Sequence, residues 1–133
     1  MPIPSAPIKN KSKTDKAVWS QALVLAHLKS KDFEIIETCS YRLRSESLGL
    51  GEVDITAYDP KSKALLVIEV KALDVLHYGV PILSKAQRLR LQRSRIFLQN
   101  SYRKRLLVAE TRLILAIVHG PRKHPKVEFL ENP

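Results

Sequence analysis

Two segments of the chain carry an almost unbroken apolar run. Ala64-Leu65-Leu66-Val67-Ile68 leads into Glu69-Val70-Lys71, and Leu113-Ile114-Leu115-Ala116-Ile117-Val118 follows Arg112. Runs of this length, rich in β-branched residues, predict buried strands at 64–70 and 112–119. Glu52 to Tyr58 alternates instead, with Val53, Ile55 and Ala57 on one side and Asp54, Thr56 and Tyr58 on the other. It reads as a strand with one covered face. Asp59-Pro60-Lys61-Ser62-Lys63 is turn chemistry, so strands 52–58 and 64–70 are expected to form an antiparallel hairpin. A short strand is expected at Phe33–Cys39, and another at Val127–Phe129 after the basic turn Gly120–Pro125.

Helical spacing appears twice. Trp19, Ala22, Leu23 and Ala26 recur at i, i+3, i+4 and i+7, which predicts a helix from a cap at Thr14 or Asp15 to about Ser30, buried on that face. Residues 84–101 form the second predicted helix, with Ala86, Leu89, Ile96 and Phe97 as its apolar face. Beside them runs a polar stripe of Lys85, Arg88, Gln92, Arg95 and Gln99. Tyr41–Leu50 and His77–Pro81 read as loops. Residues 1–13 hold three prolines and three lysines with little to bury, and are expected to be a disordered tail before a single domain at 14–133. The element order is αβββαββ, an α/β layer around one mixed sheet.

Composition narrows the partner. The chain has 133 residues and a net charge of +10, which favours a polyanion: nucleic acid first, an anionic membrane surface second. No apolar run approaches the ~20 residues of a membrane span. Nor does the N-terminus carry the apolar core of a signal peptide. The single cysteine, Cys39, permits no intrachain disulfide and reads as a packing residue. These features together predict a cytoplasmic protein. The four histidines show no zinc-ligand spacing. Residues 85–105 carry eight Lys or Arg and no acid, whereas a solvated helix usually mixes signs. The aromatic content of 6% offers no platform for stacked single-stranded bases.

The chemistry concentrates at Asp54 and at Glu69-Val70-Lys71. Strand alternation puts Glu69 and Lys71 on one face. Phosphodiester hydrolysis needs a metal that polarises the phosphoryl group and activates water, and magnesium prefers oxygen ligands, one or two of them carboxylates. Asp54 and Glu69 could supply the carboxylates and Val70 a carbonyl oxygen, while Lys71 could stabilise developing negative charge. The alternative is a plain ion pair between Lys71 and one of the acids. Glu52 shares a strand face with Asp54, as an orienting charge or an accessory ligand. Arg42 and Arg44, in the loop before the acidic strand, are placed to hold a nucleic-acid backbone, and Lys85, Arg88 and Arg95 could do so from the helix.

Gly51-Glu52-Val53-Asp54-Ile55, Val67-Ile68-Glu69-Val70-Lys71, Tyr78-Gly79 and the Lys85/Gln87 helix ending in Phe97-Leu98 resemble the PD-(D/E)xK, or restriction-endonuclease-like, nuclease superfamily. More closely, the chain is similar to the YraN-like family of predicted nucleases, themselves similar to Holliday junction resolvases. The resemblance covers roughly residues 17–101, with a weaker tail to 130. It implies a three-layer core, with a central mixed sheet flanked by helices. It implies catalytic roles for Asp54, Glu69 and Lys71, with magnesium or manganese held by Asp54, Glu69 and Val70. It further implies DNA as substrate, branched structures included, for which a two-fold dimer would be suited. Two positions depart from the family: Gln21 stands where the first helix carries a Glu that faces the metal, and Arg112-Leu113-Ile114 replaces Arg-Phe-Asp. The first departure motivates a second reading, a nucleic-acid-binding protein of nuclease fold with little or no cleavage. A basic structural module, bound for example to ribosomal RNA, is a third.

Overall fold

A computed structural model describes residues 15–38, 53–73 and 83–131. The expected tail at 1–13, the Thr14 cap, Cys39, Arg42, Arg44, Glu52, His77, Tyr78 and Gly79 lie outside the described residues. The elements are α1 (Asp15–Ser30), β1 (Glu34–Thr38), β2 (Ile55–Asp59), β3 (Ala64–Leu73), α2 (Lys85–Tyr102), β4 (Glu110–His119) and β5 (Lys126–Glu131). The protein is therefore α/β, and the described residues form a five-stranded mixed sheet ordered β1-β2-β3-β4-β5. Its neighbours pair antiparallel except β3 and β4, which run parallel and are joined through α2. Among the described residues no helix is long and apolar enough to cross a membrane.

A helix covers each face of the sheet. Val24 and Leu28 of α1 pack on Ile55, Ala57, Leu66, Ile68, Ile114, Ala116 and Val118. Leu91, Leu98 and Tyr102 of α2 pack on Val53, Leu65, Val67, Leu113, Leu115 and Ile117. β3 and β4 are thus covered on both faces, which is why their sequences run apolar without alternation.

The element ends are set by local chemistry. Asp32 takes a left-handed φ of 63°, its N–H donates to the Lys29 carbonyl (3.0 Å), and Phe33 N–H donates to the Leu28 carbonyl (3.1 Å). That pair of bonds is a Schellman stop, with Asp in the place glycine usually takes. α2 starts in a capping box: Gln87 N–H donates to Ser84 Oγ, and Ser84 N–H donates to Gln87 Oε1. The β2–β3 turn closes on Asp59, whose Oδ1 accepts from Lys61 N–H and whose Oδ2 accepts from the Ser62 hydroxyl. The Ser62 hydroxyl foremost, then the Lys61 and Ser62 backbone, hold the Asp59 carboxyl below its ordinary range. A carboxyl lowered in the folded state contributes stability above its unfolded pKa, and that contribution is lost as the pH falls through the folded value. In thermal melts below about pH 4, the wild-type chain should therefore lose stability relative to Asp59→Asn, which keeps the turn and cannot titrate.

Three expected faces are corrected by the packing. In α1 the buried positions are Ser20, Val24 and Leu28, with Trp19 and Leu23 on the flanks and Ala22 and Ala26 in solvent. In α2 they are Leu91, Ser94, Leu98 and Tyr102, while Ala86 is exposed and Leu89 and Ile96 are 48% and 55% exposed. Around Asp54 the alternation breaks: the chain bends there, so Val53 packs on the α2 side while Ile55 and Ala57 pack on the α1 side.

Candidate functional site

The candidate site lies where β2 leaves β3. The last β2–β3 pair at that end is Ile55 with Ile68, so beyond it the β3 edge has no partner strand among the described residues. An unpaired strand edge presents backbone N–H and C=O groups that need partners. Asp54 fills part of that need: Val70 N–H donates to its Oδ2 at 2.8 Å. The bend at Asp54 swings its carboxylate into the position that a β2 carbonyl would have taken. A strand residue exchanges both its N–H and its C=O with the same neighbour, so the Val70 carbonyl opens toward the edge that Asp54 occupies.

The side chains of β3 divide around this edge. Val70 packs with the α1-side cluster, and Val70 and Ala72 line a cavity of about 210 Å³ together with Lys16, Ala17, Ser20, Gln21 and Asp54. Glu69 and Lys71 alternate with them and share the α2-side face with Leu65, Val67 and Leu73. Both are half-buried. Asp54 and Gln21 are therefore brought into one cavity. Glu69 and Lys71 approach the same edge from the other face of the sheet. Among the described residues no group of three His, Cys, Asp or Glu side chains is close enough to share an ion.

The predicted cations separate as well. Lys85 and Arg88 are exposed in the first turns of α2, which enters from the end of the sheet where β3 terminates. Arg95 does not join them. Its Nη1 donates to the Thr111 carbonyl at 3.5 Å, and its Nε is buried with no hydrogen-bond partner among the described residues. In the β3–β4 register Thr111 stands opposite Leu65, five residues from Val70, or roughly 16 Å along the strand. The reason is angular: Arg95 follows Leu91 by four residues and Ser94 by one, so it borders the buried face rather than the open one. Arg112 is engaged too, with Glu110 at 2.6 Å and Glu131 at 3.6 Å, and the bond to Glu110 foremost raises its guanidinium pKa.

Lys16 and Ser20 were not singled out by sequence reasoning. The signal was present, because Ala17, Ser20, Gln21 and Val24 share the i, i+3, i+4, i+7 spacing of one helical face. It was masked by the stronger hydrophobicity of the Trp19 stripe. A scan of protein-family models and a search of curated proteins both return no match to this chain.

Proposed function

We propose that this chain is a metal-dependent, restriction-endonuclease-like protein that hydrolyses phosphodiester bonds in DNA, branched structures included. The observation that carries the reading is the strand edge at Val70, where the Asp54 carboxylate sits on a backbone N–H beside a carbonyl directed to the same side. The donors there are oxygens alone, which suits a hard divalent cation and not zinc or copper. Magnesium or manganese would be held at that edge by Asp54 and the Val70 carbonyl, with Gln21 as a neutral accessory oxygen from the cavity; Glu69, on the other face of the sheet, would join them only by reaching around the strand edge. Bound there, the ion would polarise the phosphoryl group and lower the pKa of the attacking water. Lys71, one pleat beyond Glu69, offers its ammonium to the developing phosphoryl charge. Lys85 and Arg88, exposed near the same end, provide cations for the flanking backbone. The order αβββαββ, with a helix on each face of a mixed sheet, supports the same superfamily.

A second reading is favoured by one feature, the sheet between Glu69 and the cavity that Gln21 lines. On that reading the fold binds nucleic acid with little or no cleavage. The two separate in one experiment. Purified protein is incubated with magnesium and with labelled four-way junction and duplex DNA, beside the Gln21→Glu variant. The nuclease reading expects product that requires the metal, and more of it from Gln21→Glu, whose added charge faces Asp54 in the cavity. DNA binding without product in either protein would leave the binding reading alone.

A further inference from the structure

We infer that the β4–β5 turn, Arg122-Lys123-His124, is a second phosphate-binding element, and that Trp19 holds its arginine in place. The inference rests on the nucleic-acid reading above and extends it to residues on a different part of the chain.

The turn is built to project. Gly120 adopts a φ of +90°, a conformation side chains rarely take, and a Cβ there would meet the His124 carbonyl oxygen at 3.4 Å. His124 N–H closes the loop on the Pro121 carbonyl at 2.9 Å. Arg122, Lys123 and His124 are all exposed, and residues 119–127 contain no Asp or Glu. The nearest acid in sequence, Glu128, is turned to the other sheet face, where its Oε2 lies 2.5 Å from His119 Nε2.

Arg122 is held on a ring instead of on a carboxylate. Its guanidinium carbon lies 4.9 Å from the centre of the Trp19 ring, and no carboxylate among the described residues pairs with it. Stacking uses the face of the guanidinium and leaves its in-plane N–H donors free, in the fork that matches two phosphate oxygens. Arg112 and Arg95 offer the contrast, because each already spends donors on a protein oxygen. The location is also suited. Lys16 lines the Asp54 cavity, and Trp19 follows it on α1 by less than one helical turn, about 4.5 Å along the axis. Asp54, Lys16, Trp19 and Arg122 thus mark a path over the start of α1, on the face opposite Lys85 and Arg88. A nucleic-acid backbone entering the site edge along this path would meet cations from the turn.

The test compares the wild-type chain with Arg122→Ala/Lys123→Ala and with Trp19→Leu, each checked for a cooperative melt. Binding to fluorescein-labelled duplex and four-way junction DNA is followed by anisotropy across a salt series, with calcium in place of magnesium. Poly-glutamate is run as the acidic-polypeptide probe. The double variant is expected to bind DNA at least about ten-fold more weakly, with a salt slope shallower by about 1.8. Trp19→Leu keeps every charge, so its salt slope should change little while its affinity falls, because the fork is no longer oriented. Should Trp19→Leu not melt cooperatively, Arg122→Lys, which keeps the charge and removes the fork, takes its place with the same expected result. Wild-type binding with an unchanged double variant would overturn this inference and leave the proposed function standing. A loss confined to poly-glutamate would overturn the assignment to nucleic acid. A wild-type chain that binds no DNA at low salt would overturn the inference and the proposed function together.

Discussion

Asp54→Asn is expected to reduce metal-dependent cleavage by at least about 10²–10³-fold while leaving the fold intact. The amide oxygen of Asn can still accept from Val70 N–H, so the strand edge keeps the bond that now measures 2.8 Å. What disappears is the charge that the proposed metal site would use to attract a divalent ion. Glu69→Gln should behave alike. Lys71→Met should lose cleavage but retain ion affinity, because its proposed role is toward the phosphoryl group. Calorimetric titration with manganese separates the two classes, and anisotropy in calcium reports DNA binding by each variant. The two acid variants should bind DNA at least as well as the wild-type chain, since a charge that repels phosphate is gone. Cleavage that survives unchanged in Asp54→Asn would move the chemistry away from the Val70 edge altogether.

The largest effect on stability is expected at Leu98. It is fully buried between α2 and the face of β3 and β4, in one cluster with Leu65, Val67, Leu91, Tyr102, Leu113 and Leu115. Leu98→Ala removes methyl groups from a site closed on all sides, which costs about 3–4 kcal/mol. For a domain of this size that corresponds to a fall of roughly 10–15 °C in Tm. Leu89→Ala and Ile96→Ala on the same helix should each stay within about 0.5 kcal/mol, because both side chains already face water. Thermal and urea melts of the three variants check the orientation of α2 directly. Equal losses at Leu89 and Leu98 would mean that the helix is rotated from the face described.

That comparison also marks where the sequence ceases to be legible. Among the described residues the elements could be read, because β3 and β4 are apolar throughout and the Asp59–Lys63 turn is strong. The turn also sets the hairpin register, so counting residues back from it brings Asp54 opposite Glu69 at the end of β3, while its bond to Val70 N–H comes from the bend. Helix faces were harder. α1 is apolar nearly all round, so spacing alone could not choose Ser20, Val24 and Leu28 over the Trp19 stripe. α2 carries Leu and Ile on two sides, and contact with the sheet decides between them. The bend at Asp54 had no sequence signal of the kind a glycine or proline gives, and it is what divides the predicted cluster between the two sheet faces. Arg95 read as one member of a basic stripe, yet its position beside Ser94 takes it to the Thr111 carbonyl.

The mixture of antiparallel and parallel pairing has a kinetic consequence. The Asp54–Val70 bond spans 16 residues and belongs to the β2–β3 hairpin, whereas the parallel β3–β4 register joins residues 46 apart in sequence. A hairpin forms in microseconds, while closing the longer loop carries a greater entropic cost and waits on α2. The edge that carries Asp54 is therefore expected to assemble early, before β4 arrives to cover the other side of β3. During that interval β3 exposes one complete row of backbone donors and acceptors along an apolar strand. It is the part of the chain most prone to pair with another molecule, and refolding yield should fall with protein concentration for that reason.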